Sequence, residues 1–251
     1  MILILKIFQK NIMNLSFKIL HNLKYLYKNN PLLYRLWFFV YRSRSGFKLD
    51  MINNKTKVLF DGYPRSGNTY ALFLIRKIFD RDKIAHHFHS IAPIKISLKK
   101  KIKIIIIIRH PLDAVSSLYL KKFEKKTNLP KKIDKSLINV LIKDYIIYYK
   151  YVNKYQSNFY LVNFNYLIEN PISTIEKIKV YIDGFITQKE INIISENKDK
   201  KFGSNSILGS STPSLQKNSL KKNIKKKIRN SLYYNNCLNI YNKILEDENI
   251  N

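Results

Sequence analysis

The alternation of apolar and polar positions along the chain predicts short strands separated by helices. Residues 57 to 60, 101 to 109 and 158 to 164 are compact runs of β-branched, aliphatic and aromatic side chains, which is typical of buried strands. Residues 83 to 90 are a fourth candidate strand. Because the run at 101 to 109 is almost uniformly apolar and rich in isoleucine, it is expected to be a central strand of a parallel sheet.

Apolar residues recur at helical spacing between the predicted strands. These segments are 69 to 79, a helix beginning near Pro111, 134 to 155, a helix from Pro171 to Asp183-Gly184, and 217 to 247. Strands that alternate with helices predict an α/β fold with a mostly parallel central sheet flanked by helices. In such sheets ligands bind beyond the carboxyl ends of the strands.

The first strand is followed by the segment FDGYPRSGNTYALFL, residues 60 to 74. Gly62 to Thr69 match the phosphate-binding loop G-x-x-x-x-G-K-[ST], except that Asn68 stands where the lysine is expected. A loop of this kind, followed by a helix N-terminus, forms a cradle for an anion. The predicted architecture is therefore a three-layer sandwich like that of the P-loop NTPases. Arg65 supplies a planar guanidinium that can hold a phosphate or sulfate oxygen.

A second pattern follows the isoleucine-rich strand. The segment RHPLDAVSS, residues 109 to 117, places Arg109 at the strand end and Ser117 two turns into the next helix. Both side chains are expected to converge on a second anion. An arginine at a strand end needs a negative partner, and a bound phosphate would satisfy it.

Together the two motifs resemble those of the nucleotide-dependent sulfotransferases, whose donor is 3′-phosphoadenosine 5′-phosphosulfate. That family has Y-P-K/R-S-G-T-T-W after its first strand, where this chain has Tyr63 to Tyr70. Its second motif, R-x-P-x-D-x-x-x-S, matches Arg109 to Ser117 at the same spacing. A third feature, V-x-Y-E-D-L before a proline, is matched loosely by Val162 to Leu167 and Pro171. The resemblance covers roughly residues 57 to 235.

The resemblance implies a role for each matching position. Residues 65 to 69 would hold the 5′ phosphate without a metal, and Arg65 would also contact the bridging oxygen of the leaving group. Arg109 and Ser117 would bind the 3′ phosphate. Phe164 replaces a tyrosine near the adenine, and a Gly/Ser-rich segment at 202 to 214 stands where the family closes a loop over the 3′ phosphate, although a disordered surface loop is an equal alternative. The expected donor-binding residues are Arg65, Ser66, Gly67, Asn68, Thr69, Tyr70, Arg109, Ser117, Phe164, Ser204, Ser210 and Ser211.

The family also uses a base, often histidine, to take the proton of the acceptor. Histidine suits this role because its ordinary pKa is about 6.5. If residues 83 to 90 form a strand, His87 and His89 point to one side and His86 to the other. His89 is the preferred base and His87 the second candidate, with Arg65 as the third catalytic residue. His110 is interpreted as a variable position of the second motif.

Composition adds little to this prediction. The formal net charge of +29 would normally indicate nucleic acid or an anionic membrane, but abundant Lys, Asn, Ile and Tyr are also what A/T-rich codon usage produces. We expect no nucleic-acid partner, and a small-molecule or glycan acceptor. One cysteine, Cys237, allows no internal disulfide, so a cytoplasmic location is expected.

The chain divides into a basic helical extension, residues 1 to 50, and a sulfotransferase-like domain, residues 51 to 251. Peripheral membrane contact is expected through residues 1 to 42, of which residues 31 to 42 mix aromatic and basic side chains. The expected activity is transfer of a sulfuryl group to a hydroxyl or amine, with a carbohydrate or a lipid-linked molecule among the candidates.

Two alternatives remain at this point. A P-loop kinase-like phosphotransferase would share the fold. This chain, however, has no lysine at position 68 and no clear acidic partner for magnesium. A non-enzymatic membrane-binding or nucleic-acid-binding protein would explain the charge but not two spaced anion motifs.

Overall fold

The fold is a parallel sheet between two layers of helices. The structure, a computed structural model, describes residues 26–45, 52–123, 133–198 and 215–246. Its strands are β1 (Val58–Gly62), β2 (Ile84–His86), β3 (Lys103–Ile108) and β4 (Tyr160–Asn163). Its helices are α1 (Pro31–Ser45), α2 (Asn68–Ile75), α3 (Ile91–Lys99), α4 (Pro111–Lys121), α5 (Lys135–Lys154), α6 (Phe164–Glu169), α7 (Pro171–Asp183), α8 (Gln188–Asn197), α9 (Leu215–Arg229) and α10 (Tyr234–Leu245).

The four strands are all parallel, in the order β2-β1-β3-β4. β1 and β3 are the two inner strands, and Gly62, the last residue of β1, pairs with Ile107. The carboxyl ends of β1 and β3 therefore lie side by side. This adjacency brings the glycine-containing loop after β1 next to the arginine that follows β3.

The isoleucines of β3 alternate between two hydrophobic cores. Ile104, Ile106 and Ile108 pack with residues of α3, α4, α5, α9 and α10. Ile105 and Ile107 face the opposite side and pack with residues of α2, α6, α7 and α8. Since all five side chains are fully buried, the uniform apolar run indeed marks a central strand covered on both faces. The expected mostly parallel three-layer architecture is confirmed.

Several element bounds differ from the expected ones. The helix expected over 69 to 79 spans only Asn68–Ile75, and the tail expected as one helix forms α9 and α10. The C-terminus of α7 is as expected, because Gly184 adopts a φ of 85° just after Asp183. Helices α3, α6 and α8 were not expected.

The prediction of a strand over residues 83 to 90 is wrong beyond His86. β2 ends there because His87 and His89 have φ angles of 61° and 51°, in the left-handed region that a strand cannot use. The segment after β2 is therefore an irregular loop that leads into α3.

Helix α1, in the described part of the expected N-terminal extension, packs on α3. Tyr34 is buried against Ala92 and Ile96, and its ring lies edge-on to Phe88 at 6.1 Å. Lys95 also donates a hydrogen bond to the carbonyl of Asn29 at 3.0 Å. Residues 1–25 of the expected extension lie outside the described residues. Among the described helices, none has both the length and the apolar character needed to cross a bilayer.

Candidate functional site

The loop after β1 has the backbone shape of an anion cradle. Arg65 adopts a φ of 71° and Gly67 a φ of 95°, so left-handed residues interrupt the chain just before α2. Such reversals direct consecutive N–H groups into one concavity. The N–H groups of Asn68 and Thr69 belong to the first turn of α2, where no intrahelical carbonyl can accept them. The loop thus has donors for an anion without a lysine.

The side chain of Asn68 does not replace the missing lysine. It is buried, and its amide reaches back to the carbonyl of Gly62 at 3.4 Å. Because that contact is long and neutral, Asn68 closes the loop on itself and adds no charge. The positive charge of the loop comes from Arg65.

The two sequence motifs meet at Arg65. Its Nε donates to the hydroxyl of Ser117 in α4 at 3.0 Å, and its carbonyl accepts a hydrogen bond from the guanidinium of Arg109 at 2.7 Å. Residues separated by more than forty positions in the chain thus form one cluster. Arg109 is directed towards the glycine-containing loop, as the two-anion prediction requires.

The guanidinium of Arg109 is half-buried and lies close to the like charge of Arg65. Burial lowers the pKa of Arg109, Asp113 raises it, and the nearby charge of Arg65 lowers it further. The carboxylate of Asp113 is itself held by Lys225 at 2.6 Å. The buried Nε of Arg109 has no hydrogen-bond partner among the described residues. A phosphate would satisfy that donor and offset the like charges.

Phe164, the first residue of α6, completes the wall of this cluster. The guanidinium carbon of Arg109 lies 3.9 Å from its ring centroid, a cation–π contact. The same ring fills the space beside Gly67, where an added Cβ would lie 2.5 Å from Phe164 Cδ2. Gly67 is therefore required for two reasons, its left-handed φ and the close approach of this ring.

Tyrosines of α5 hold the two strand ends, a role that we did not predict from the sequence. Tyr149 donates to the carbonyl of Ile107 at 2.8 Å, and its hydroxyl lies 3.3 Å from that of Ser66. Tyr145 donates to the carbonyl of Arg109 at 2.8 Å. Their spacing of four residues on one helical face, with Tyr148 beside Tyr149, could have signalled this function.

The histidines after β2 are arranged differently from the strand-based expectation. His86 was expected to point away from His87, and this is wrong. Their rings lie 4.9 Å apart and their Nδ1 atoms 2.6 Å apart. The reason is the left-handed φ of His87, which breaks the strand alternation and turns its ring back beside His86.

His86 and His87 belong to a directional chain of hydrogen bonds that ends at Thr69. Arg76 can only donate, so His86 Nε2 accepts and its Nδ1 carries the proton. His86 then donates to Nδ1 of His87, whose protonated Nε2 lies 3.2 Å from the hydroxyl of Thr69. Both nitrogens of His87 are thus engaged, and the hydroxyl proton of Thr69 is left to point at a ligand of the loop.

His89 has a different environment. Its Nδ1 lies 2.7 Å from the carbonyl of Gly62, which can only accept, so Nδ1 carries the proton and Nε2 keeps its lone pair. Burial lowers the pKa of His89 to about 4, against the hydrogen bond to Gly62 that raises it, and Lys28 lowers it further. A neutral imidazole with an unprotonated Nε2 is the form that a general base needs.

His89 also lines a cavity of about 100 Å³ beside the loop. Tyr63 and Pro64 of the loop form one wall, and apolar side chains of α4 and α5 form another. The full lining comprises Lys28, Asn29, Tyr63, Pro64, His89, Ser90, Ile91, Leu118, Lys122, Leu141, Asp144, Ile147 and Tyr148.

Not every expected site residue joins this cluster. The hydroxyl of Tyr70 donates to the carbonyl of Lys198 at 2.8 Å, so it faces the C-terminal end of α8. His110 caps α4 and packs edge-on against Tyr241. Ser204, Ser210 and Ser211 lie outside the described residues.

Comparison with known proteins identifies the family. A family described as the sulfotransferase domain matches residues 83–235, more than half of the chain. The comparison with curated proteins gives no match. Among solved structures, the mouse sulfotransferase SULT7A1 complexed with PAP is similar with a TM-score of 0.46 and 14% identity, over 79% of this chain and 91% of that one. The family match confirms the resemblance that the two motifs indicate: this chain belongs to the sulfotransferase domain family.

Proposed function

We propose that this protein transfers the sulfuryl group of 3′-phosphoadenosine 5′-phosphosulfate to a hydroxyl group of a small molecule. One observation carries the proposal beyond family membership. Arg65, Ser117 and Arg109 form one hydrogen-bonded cluster at the carboxyl ends of β1 and β3. Two arginines from separate motifs suit a ligand with two separate anionic groups, which this donor has and a simple mononucleotide lacks.

The residues fit the donor at both ends. The N–H groups of the loop after β1 would hold the 5′ phosphosulfate, with Ser66 and Thr69 as hydroxyl donors. Arg109, whose buried Nε lacks a partner among the described residues, would bind the 3′ phosphate together with Ser117. Phe164 offers its ring near the adenine, a role that remains a prediction.

The chemical step needs a base and a stabilised leaving group. His89 Nε2 takes the proton as the acceptor oxygen forms its bond to sulfur. The bond between sulfur and the bridging oxygen breaks, and 3′,5′-adenosine bisphosphate leaves. Arg65 and the loop N–H groups stabilise the charge that develops on the departing phosphate. His87, the second candidate, has both ring nitrogens engaged, and this supports His89 as the base.

The cavity beside His89 supports a compact acceptor. Its walls combine Leu118, Leu141 and Ile147 with the charged groups of Lys122 and Asp144 at the same pocket. A phenol or a small alcohol with an apolar body suits this lining better than an extended glycan. Radiolabelled donor with a panel of phenols, sterols and oligosaccharides would test this, and labelling of oligosaccharides alone would contradict it.

Ligand binding tests the donor assignment directly. We expect 3′,5′-adenosine bisphosphate to raise the melting temperature and to bind in calorimetry without added metal. ATP with magnesium should have a much weaker effect, because Asn68 stands where a kinase needs its lysine. Stronger binding of ATP with magnesium would favour the phosphotransferase alternative instead.

We also propose a cytoplasmic protein that contacts anionic membranes through α1. Leu32, Leu36 and Phe39 form one exposed stripe at i, i+4 and i+7, with exposed fractions of 67%, 58% and 75%. Exposed Arg35 lies beside the stripe, and the net charge of +29 favours an anionic surface.

Vesicle sedimentation tests the membrane proposal. We expect binding to vesicles that contain phosphatidylserine and weaker binding to vesicles of neutral lipid alone. Leu36→Glu should abolish it, whereas Leu232→Glu, at a residue that is 92% exposed elsewhere, should not. Equal loss in both variants would contradict the proposal.

A further inference from the structure

Asp61, the residue just before Gly62, is a fully buried carboxylate beside the proposed base. Its exposed fraction is 0%. Oδ1 accepts a hydrogen bond from the backbone N–H of His89 at 3.1 Å and lies 3.4 Å from Nδ1 of the same ring. Oδ2 has no hydrogen-bond partner among the described residues. A buried carboxylate is unfavourable without a positive partner, so its presence here needs an explanation.

Among the groups that face Asp61, one side chain can supply the positive charge that a buried carboxylate needs. They are the ring of His89, the hydroxyls of Tyr148 and Tyr149 from α5, and Tyr34 from α1. Backbone N–H groups of Gly62, His89 and Ser90 also point at it. Among these side chains only a histidine can become a cation. Asp61 and His89 are therefore a potential ion pair whose positive charge is absent while His89 is neutral.

We propose that Asp61 is a positioning residue that stabilises the imidazolium formed when His89 takes the proton of the acceptor. This inference rests on the proposed function, in which His89 is the base. The carbonyl of Gly62 fixes which nitrogen carries the proton, and the carboxylate of Asp61 supplies the charge that a carbonyl cannot. A proton arriving at Nε2 makes the ring cationic beside a carboxylate that is already in place.

The ionisation of Asp61 gives this arrangement a pH dependence. Burial raises the pKa of Asp61 to about 7, although hydrogen bonds from the backbone of His89, Gly62 and Ser90 and from the hydroxyl of Tyr148 lower it. Below that pH the carboxyl group is neutral and cannot stabilise an imidazolium. We therefore expect kcat to rise with pH through about 7 in the wild-type enzyme, which is measurable without any variant.

Asp61→Asn is the direct test, because the amide keeps the shape and the Oδ1 acceptor but removes the charge. We expect kcat to fall roughly 10- to 100-fold, less than the roughly 10²–10⁴-fold expected for loss of the base, since Gly62 still holds the ring. The rise through pH 7 should disappear. The affinity for 3′,5′-adenosine bisphosphate should stay unchanged. Asp82→Asn, on an exposed turn, is the matched control and should keep full activity.

A structural role predicts a different set of results. If Asp61 only supported the fold, Asp61→Asn would lower the melting temperature and weaken bisphosphate binding together with kcat. We expect instead that the variant is at least as stable as the wild type at pH 8, because it removes a buried charge. A variant that loses stability, or one that keeps the wild-type pH profile, would overturn the inference.

A double-mutant comparison separates this inference from the proposed function. In the His89→Ala background, adding Asp61→Asn should have almost no further effect on kcat, because Asp61 acts through His89. Additive losses would overturn the inference while leaving sulfuryl transfer intact.

Nuclear magnetic resonance gives a readout that does not depend on catalysis. The ring protons of His89, assigned by their loss in His89→Ala, should show an inflection near pH 7 that Asp61→Asn abolishes. An unchanged titration would overturn the pairing. If the inflection is present and Asp61→Asn abolishes it, but the protein binds no 3′,5′-adenosine bisphosphate, the pairing of Asp61 with His89 stands and the proposed function is rejected.

Discussion

Arg109 illustrates how one residue depends on its surroundings for its function. At the end of β3 its guanidinium contacts the carbonyl of Arg65 and the ring of Phe164, and its Nε faces no acceptor among the described residues. Its charge is therefore directed at the loop, and the carboxylate of Asp113 is paired with Lys225. The strand-end position was evident from the sequence, but the stacking on Phe164 was not.

Replacing Arg109 should weaken donor binding specifically. An arginine contact to phosphate contributes about 1.5–3 kcal/mol to binding. Arg109→Ala should therefore lower the affinity for 3′,5′-adenosine bisphosphate, measured by calorimetry, roughly 10- to 150-fold. Arg109→Lys should recover only part of this, because an ammonium lacks the planar fork. Arg81→Ala, on an exposed turn, serves as the control and should bind normally. An unchanged affinity in Arg109→Ala would remove the second motif from the donor site.

His87 and His89 should respond differently to substitution. His89→Ala should lower kcat roughly 10²–10⁴-fold with donor affinity nearly intact, because only the base is lost. His87→Ala should lower kcat much less, because it only orients the hydroxyl of Thr69. Steady-state kinetics with each variant checks both expectations. If His89→Ala keeps the wild-type kcat, His89 is not the base and His87 becomes the candidate.

At the level of elements, the connection between β1 and α2 decides whether the cradle exists. Gly67 combines a φ of 95° with a phenylalanine ring where its Cβ would be. Gly184, at the C-terminus of α7, has a similar φ of 85° but no atom within 4 Å of an added Cβ. The two glycines therefore form a natural pair for comparison.

Gly67→Ala should lose both stability and donor binding. The left-handed conformation costs alanine about 1–2 kcal/mol, and the clash with Phe164 adds roughly 1–3 kcal/mol of overpacking. Gly184→Ala should show only the conformational cost and normal bisphosphate affinity. Urea denaturation and calorimetry on both variants test this. Equal effects in the two variants would mean that the contact with Phe164 has no energetic weight.

The elements also show where prediction from sequence ends. The isoleucine run predicted β3 correctly, because a strand buried on both faces needs no alternation. The loop after β2 could not be predicted, because periodicity does not reveal that His87 and His89 adopt left-handed backbone angles. Asp61 was missed for a related reason: in the sequence it follows the strand predicted over residues 57 to 60 without matching a motif position, and only the fold brings it against His89.

For the whole molecule, two half-buried histidines should make the fold sensitive to acid. Burial, and for His87 also the neighbouring His89 and Arg76, lowers the pKa of His87 and His89 to about 4 from 6.5. Between these values the unfolded chain binds protons that the folded chain does not, so stability falls as pH drops through this window. The contribution of Asp61 to folding stability depends on pH in the opposite direction. Because the pKa of Asp61 is raised in the folded state, its protonated form stabilises the fold at low pH, and this stability is lost as pH rises towards about 7.

Below pH 6.5 the destabilising contribution of two histidines is larger than the stabilising contribution of one aspartate. We therefore expect a net loss of folding stability from pH 6.5 to pH 4. His87→Gln should reduce this loss, because it removes one group that takes up a proton on unfolding. Urea midpoints at several pH values in this window provide the measurement. A loss of the same size in wild type and variant would exclude His87 as a contributor.

The proposed donor specificity requires two anion sites that bind one ligand. Calorimetry with 3′,5′-adenosine bisphosphate and with 5′-adenosine monophosphate, which lacks the 3′ phosphate, tests this most directly. We predict that the wild type binds the bisphosphate at least about ten-fold more tightly, as one charge-assisted phosphate contact implies, and that Arg109→Ala removes most of this preference. Equal affinity of the wild type for both nucleotides would contradict the account.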